Sequence, residues 1–238
     1  MSDVDIYRYR IHFAARKSLA YISVLELGTL WERTLRRAGA PLRYSQGYNP
    51  RPKIQFPAPL PVGCGGEAEF LDVLFDAPRE PAEIRAALVG ATPPDLEVHA
   101  VEAIPYHAPA PDQQLVATEY RTWLHGVAPA TVEAAATAFM ASEEVLVKKR
   151  GGSRRGKLYN FRPLVYDLRV ETPPEPWDSG LWMHLSARHG ATGRPDTLLR
   201  ALELADVPRR CTRLRLILEG EAASRRIKGE EENRIFHA

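Results

Sequence analysis

The chain has 238 residues, of which 45% are hydrophobic and 26% charged, with a formal net charge of +2. This length suits one large domain or two small ones with a proper core, and so small a net charge says little beside local clustering. No apolar run approaches the roughly 18 residues of a membrane span, and MSDVDIYRYR lacks the apolar centre of a signal peptide.

Ile6 to Phe13 alternates, with Tyr7, Tyr9, Ile11 and Phe13 set against Arg8, Arg10 and His12, and predicts a strand. Ser23 and Glu26 form a capping box that opens a helix burying Val24, Leu27, Leu30, Trp31 and Leu35, closed by Gly39 and Pro41. A short strand at Leu42–Ser45, a proline-rich segment and a strand at Glu69–Phe75 follow. Pro81 starts a helix through Leu88, and Leu96–Ile104 is the next strand.

The second half has the same order. Leu115–Leu124 is a strand, Pro129 starts a helix to about Ala141, and Val145–Lys149 is a strand. Leu181–Ala187 is another strand, and Pro195 opens a helix with Leu198, Leu199 and Leu202. Cys211–Leu218 closes the set with Leu214, Leu216 and Leu218 on one face. Two consecutive β-α-β-β-α-β runs predict an α+β chain of two tandem ferredoxin-like halves, residues 6–104 and 112–220. Residues 105–111 would link them, and the charged tail 221–238 is expected to be disordered.

Two acid-free basic stretches carry the functional signal. Leu42–Gly63 gathers Arg43, Tyr44, Gln46, Tyr48, Asn49, Arg51 and Lys53 around one turn. Lys148–Arg162 holds Lys148, Lys149, Arg150, Arg154, Arg155, Lys157 and Arg162 with Tyr159 and Phe161 among them. Guanidinium, ammonium, amide and aromatic groups are those that hold phosphates, sugars and bases. Turn chemistry also accounts for Ser-Gln-Gly and Asn-Pro, and a solvated loop accounts for a basic run. Asp72 and Glu69 alternate on a strand as a solvated face would. Cys64 and Cys211 have no partner at metal-ligand or redox spacing, so a reduced, cytoplasmic protein without metal or cofactor is expected.

YRIHFA at Tyr9–Ala14, RRAG at Arg36–Gly39, YSQGYNPRP at Tyr44–Pro52 and PLPVG at Pro59–Gly63 resemble a bacterial family of unknown function, the radical SAM-linked proteins. The string RGGSRRGKLYNFRPLV departs from that family at Asn160, where aspartate is commoner. The resemblance implies a radical S-adenosylmethionine enzyme as partner. This chain lacks the three-cysteine cluster such an enzyme needs.

The paired halves, with PPDLEVHAVEAIP at Pro93–Pro105, also resemble the tRNA pseudouridine synthase A fold, a mainly antiparallel mixed sheet with helices on one face. That resemblance places Gln46 where the family keeps its nucleophilic aspartate, and an amide cannot replace a nucleophilic carboxylate. The expected function is a non-catalytic RNA-binding accessory to a radical SAM enzyme, contacting tRNA or rRNA. The alternatives are a pseudouridine-synthase-type enzyme with Asp72 as its acid, or a protein-interaction module without RNA.

Overall fold

Tyr9, Ile11 and Phe13 place three large side chains on one face of the first strand, β1 (Tyr7–Ala15), and all three are buried. The computed structural model describes residues 6–149 and 155–220, and the chain divides into two compact units, residues 1–114 and 115–238. Arg150, Arg154 and the tail 221–238 lie outside the described residues.

In the first unit β1 is followed by α1 (Val24–Arg37), β2 (Ile54–Gln55), β3 (Cys64–Phe75), α2 (Pro81–Val89), β4 (Leu96–Ile104) and a single helical turn, α3 (Pro111–Gln114). All its strand pairs are antiparallel, in the order β4-β1-β3-β2. Opposite Tyr9 and Ile11 stand Val73 and Leu71, both fully buried, and Trp31 of α1 meets the Phe13 ring edge-on at 4.9 Å. Both helices therefore cover the face carrying Phe13, Leu71 and Phe75, since Leu35, Phe75, Ile84 and Leu88 line one small apolar hollow between them.

The expected strand at Leu42–Ser45 is only a pair of isolated bridges, Leu42 to Phe75 and Tyr44 to Pro52. Two residues farther along, Ile54–Gln55, take the ladder position beside Val73 and Asp72. Proline has no amide to donate, so Pro50 and Pro52 confine regular pairing to the stretch beyond them.

The start of α1 is built as its sequence predicts. Glu26 N–H donates to Ser23 Oγ at 3.3 Å, and Ser23 N–H donates to the Glu26 carboxylate at 2.7 Å. The backbone and hydroxyl of Ser23 hold the Glu26 carboxyl below its usual range. A carboxyl lowered on folding stabilises above its unfolded pKa and ceases to do so as pH falls through the folded value. Ser23→Ala should cost about 1 kcal/mol in urea unfolding at pH 7, and the difference from wild type should shrink on acidification. Gly39, at φ +68°, ends the helix in the left-handed region.

The second unit runs β5 (Leu115–Leu124), α4 (Pro129–Ala141), β6 (Leu146–Lys148), β7 (Leu158–Asn160), β8 (Val165–Glu171), β9 (Ser179–Arg188), β10 (Ala191–Thr192), α5 (Pro195–Ala201) and β11 (Arg209–Leu218). Its sheet is again antiparallel, in the order β8-β9-β5-β11, and the short β10 joins the far end of β9.

Three expectations need correction here. The strand expected at Val145–Lys149 does not enter the sheet; β6 pairs with β7 in a separate hairpin, and β8 takes the sheet position. The single apolar face expected for β11 is broken by a register shift between Arg213 and Arg215. As a result Leu216 and Ile217 are both buried, whereas Leu214 and Leu218 are half-exposed. Cys64 and Cys211 are buried and neither is a free thiol, which corrects the expected reduced state; spacing along the chain says nothing of where strand residues end up. Among the described residues no helix is long and apolar enough to cross a membrane.

Candidate nucleic-acid interface

The face of β1 away from the helices carries Arg8 and Arg10, and the register sets Arg10 directly opposite Asp72 of β3. The expectation that Asp72 and Glu69 lie on a solvated face fails: both are buried, and Asp72 is 2% exposed. The register also turns them to opposite faces, since Glu69 stands across from the core residue Phe13.

Asp72 survives burial because its charge is met from two sides. Arg8 donates to Oδ2 through Nε at 3.1 Å and Nη2 at 2.6 Å, while Arg10 donates to Oδ1 at 2.8 Å and to Oδ2 at 3.0 Å. Four charge-assisted hydrogen bonds replace the hydration that the carboxylate gives up. Two further Arg8 N–H groups donate to the carbonyls of Ala108 (2.5 Å) and Pro109 (3.0 Å), so the segment expected as a linker is held down over this face. The Arg10 guanidinium also lies over the Phe70 ring, 4.2 Å from its centroid.

Beside this cluster opens a cleft of about 610 Å³, lined by Arg8, Asp72, Arg51, Lys53, Tyr106 and His107 among others. Arg51 and Lys53 are exposed at its edge. Their strand segment is anchored by hydrogen bonds from Lys53 N–H to the Arg43 carbonyl and from Leu74 N–H to the Lys53 carbonyl. The turn before them closes where Arg51 N–H donates to Ser45 Oγ at 3.0 Å, with Gly47 at φ +147°. The cleft thus carries three cations against one carboxylate, and that carboxylate has both oxygens engaged.

The other residues named from the Leu42–Gly63 stretch divide by partner. Arg43 is bound to Asp76 at 2.7 Å, and Tyr44 lies under the Arg36 guanidinium at 5.8 Å. Gln46, Tyr48 and Asn49 form an exposed tip, with Tyr48 fully exposed, and none of the three lines the cleft. The acid facing the cleft is Asp72, on a strand; Gln46 stands away from it.

In the second unit Lys148 and Lys149 line a cavity beside the β6–β7 hairpin, whereas Arg155 and Lys157 are exposed outside it. Arg162 is a structural brace, donating to the carbonyls of Val165 (2.8 Å) and Met140 (3.0 Å) and lying over the Phe139 ring. Asn160 has a structural task as well: its Oδ1 accepts from Val145 N–H at 3.0 Å and from Arg162 N–H at 3.1 Å. A carboxylate can accept both bonds as well, so this task does not require the amide. Asn160→Asp should therefore change unfolding free energy by less than about 1 kcal/mol, whereas Asn160→Ala should cost about 1–3 kcal/mol by stranding two amides; urea unfolding of both variants checks this.

Sequence reasoning missed Arg8, Tyr106 and His107 as cleft residues. A signal was present for the first: two arginines on one face of a strand whose other face is apolar require a buried acid on the neighbouring strand.

The fold and cleft define the class: a mixed α+β protein of antiparallel strands with a cation-lined cleft on the helix-free face of its first unit. The chain belongs to the family described as "Uncharacterized protein conserved in bacteria (DUF2344)", whose model matches residues 8–195. No curated protein matches it. Among solved structures it is similar to a chain of the "Crystal Structure of a Cbf5-Nop10-Gar1 Complex", at 13% identity and a TM-score of 0.47. The similarity covers 87% of this chain and 48% of that one, so this chain spans about half of its neighbour's length.

Proposed function

We propose that this protein is a non-catalytic RNA-binding accessory protein that acts with a radical SAM enzyme in tRNA or rRNA modification or processing. The observation that carries the RNA reading is the cleft in which Arg51 and Lys53 stand with Arg8, Tyr106 and His107. Exposed cations there meet phosphates, and the phenol and imidazole rings offer stacking surfaces for bases. Gln46, Tyr48 and Asn49 offer base and sugar contacts from an exposed tip of the first unit, and Lys148, Lys149, Arg155 and Lys157 offer phosphate contacts on the second; Arg154 of the same basic stretch lies outside the described residues. Arg43 and Arg162 already have protein partners and serve to position their neighbours.

The partner enzyme rests on the motif resemblance alone. The tandem ferredoxin-like reading rests on the matching strand orders of the two units, β4-β1-β3-β2 and β11-β5-β9-β8. A catalytic role for Asp72 is disfavoured because four hydrogen bonds from two arginines occupy its oxygens, leaving it poorly placed to attack a base or move a proton.

Filter retention of labelled tRNA and rRNA fragments tests the RNA reading; retention that falls steeply with added salt is expected, and equal, negligible retention of every RNA would end it. Co-purification with a radical SAM enzyme tests the partner, and loss of that association after ribonuclease treatment would show RNA to be the bridge.

A further inference from the structure

The second unit holds a cavity of about 720 Å³ at the open side of the β6–β7 hairpin, lined by Lys148, Lys149, Tyr159, Thr197 and Arg194. The hairpin is set by Lys149 N–H donating to the Lys157 carbonyl and Gly156 N–H to the Lys149 carbonyl, with Gly156 at φ +83°. Arg194 reaches the same space from the residue preceding α5. Lys149 Nζ sits 5.4 Å from the centre of the Tyr159 ring. None of the three cations has an ion-pair partner among the described residues. The one carboxylate in the lining, Asp196, is turned to Arg200 at 3.4 Å. Burial pushes the Tyr159 phenol up from its usual range.

Three cations with no ion-pair partner among the described residues, set around one space with a phenol, suit a compact, multiply charged anion better than a neutral base. We propose that this cavity binds the terminal phosphate of a nucleotide on Lys148, Lys149 and Arg194. The phosphate can come from a free nucleotide or from the 5′ end of an RNA strand; only the second source rests on the RNA reading above. Lys148 and Arg194 are exposed, so the site is open to either.

Titration of the full chain with three probes tests this: AMP, a 10-nucleotide RNA carrying a 5′-phosphate, and the same RNA with a 5′-hydroxyl. The phosphorylated RNA should bind about tenfold tighter than the hydroxyl form, and Arg194→Ala should erase that difference. Lys149→Gln serves as a second variant, and urea unfolding of both confirms that they fold. AMP binding that Arg194→Ala abolishes supports the site with a free nucleotide as its source. Equal affinity for the two RNAs together with no AMP binding would overturn the proposal, as would a phosphate preference that survives both substitutions. In the first case the RNA reading still stands if both oligonucleotides bind; it fails on its own if neither does and AMP does.

Discussion

Asp72→Asn is expected to lower the free energy of unfolding by about 3–5 kcal/mol, the cost of breaking a buried ion pair from one side. Asp72 is 2% exposed, and Arg8 and Arg10 are each 6% exposed, so neither guanidinium can recover its lost partner from water. An asparagine keeps the shape but offers one acceptor oxygen and two hydrogens that face donors. Arg8 also ties Ala108 and Pro109 to this face, so the same substitution should loosen residues 106–110, read as faster amide exchange there. A loss below about 1 kcal/mol would mean that the cluster is dispensable to the fold. Replacing Arg8, Arg10 and Asp72 together by leucines should be milder than Asp72→Asn, because no buried charge is then left without its partner.

The second large effect concerns binding. Reversing both exposed cations of the cleft, Arg51→Glu with Lys53→Glu, should weaken RNA binding by about 100-fold or more at low salt, since two favourable phosphate contacts become repulsive. The slope of log affinity against log salt should shrink by about 1.4, two contacts at about 0.7 each for single-stranded RNA. Both side chains are exposed, so the unfolding curve should stay that of the wild type within about 0.5 kcal/mol. Unchanged affinity with an unchanged salt slope would show that RNA, if bound, lies elsewhere.

Much of the fold was legible because local rules decide it. The capping box at Ser23, the proline starts of α2, α4 and α5, and the bounds of β4 all appear where the sequence puts them. The misses come from long-range pairing. Nothing local says that Ile54–Gln55, rather than Leu42–Ser45, takes the regular ladder position, or that Val145–Lys149 turns into its own hairpin. The bulge in β11 likewise depends on its neighbour β5.

The cleft was half legible. Arg51 and Lys53 were picked out by composition, and they do line a cleft. Asp72 was misread because alternation distinguishes two faces of a strand but not whether the polar one is wet. Charge partners on another strand decide that, and register is a property of the folded sheet. Arg43 and Arg162 show the converse: a basic residue in a basic run can already hold a partner in its own protein.

Amide hydrogen–deuterium exchange with and without a tRNA fragment tests the central claim most directly, because it locates the bound RNA on the chain. Slowed exchange at residues 51–55 and 106–110 is the predicted result. RNA bound with those two segments unchanged would contradict it.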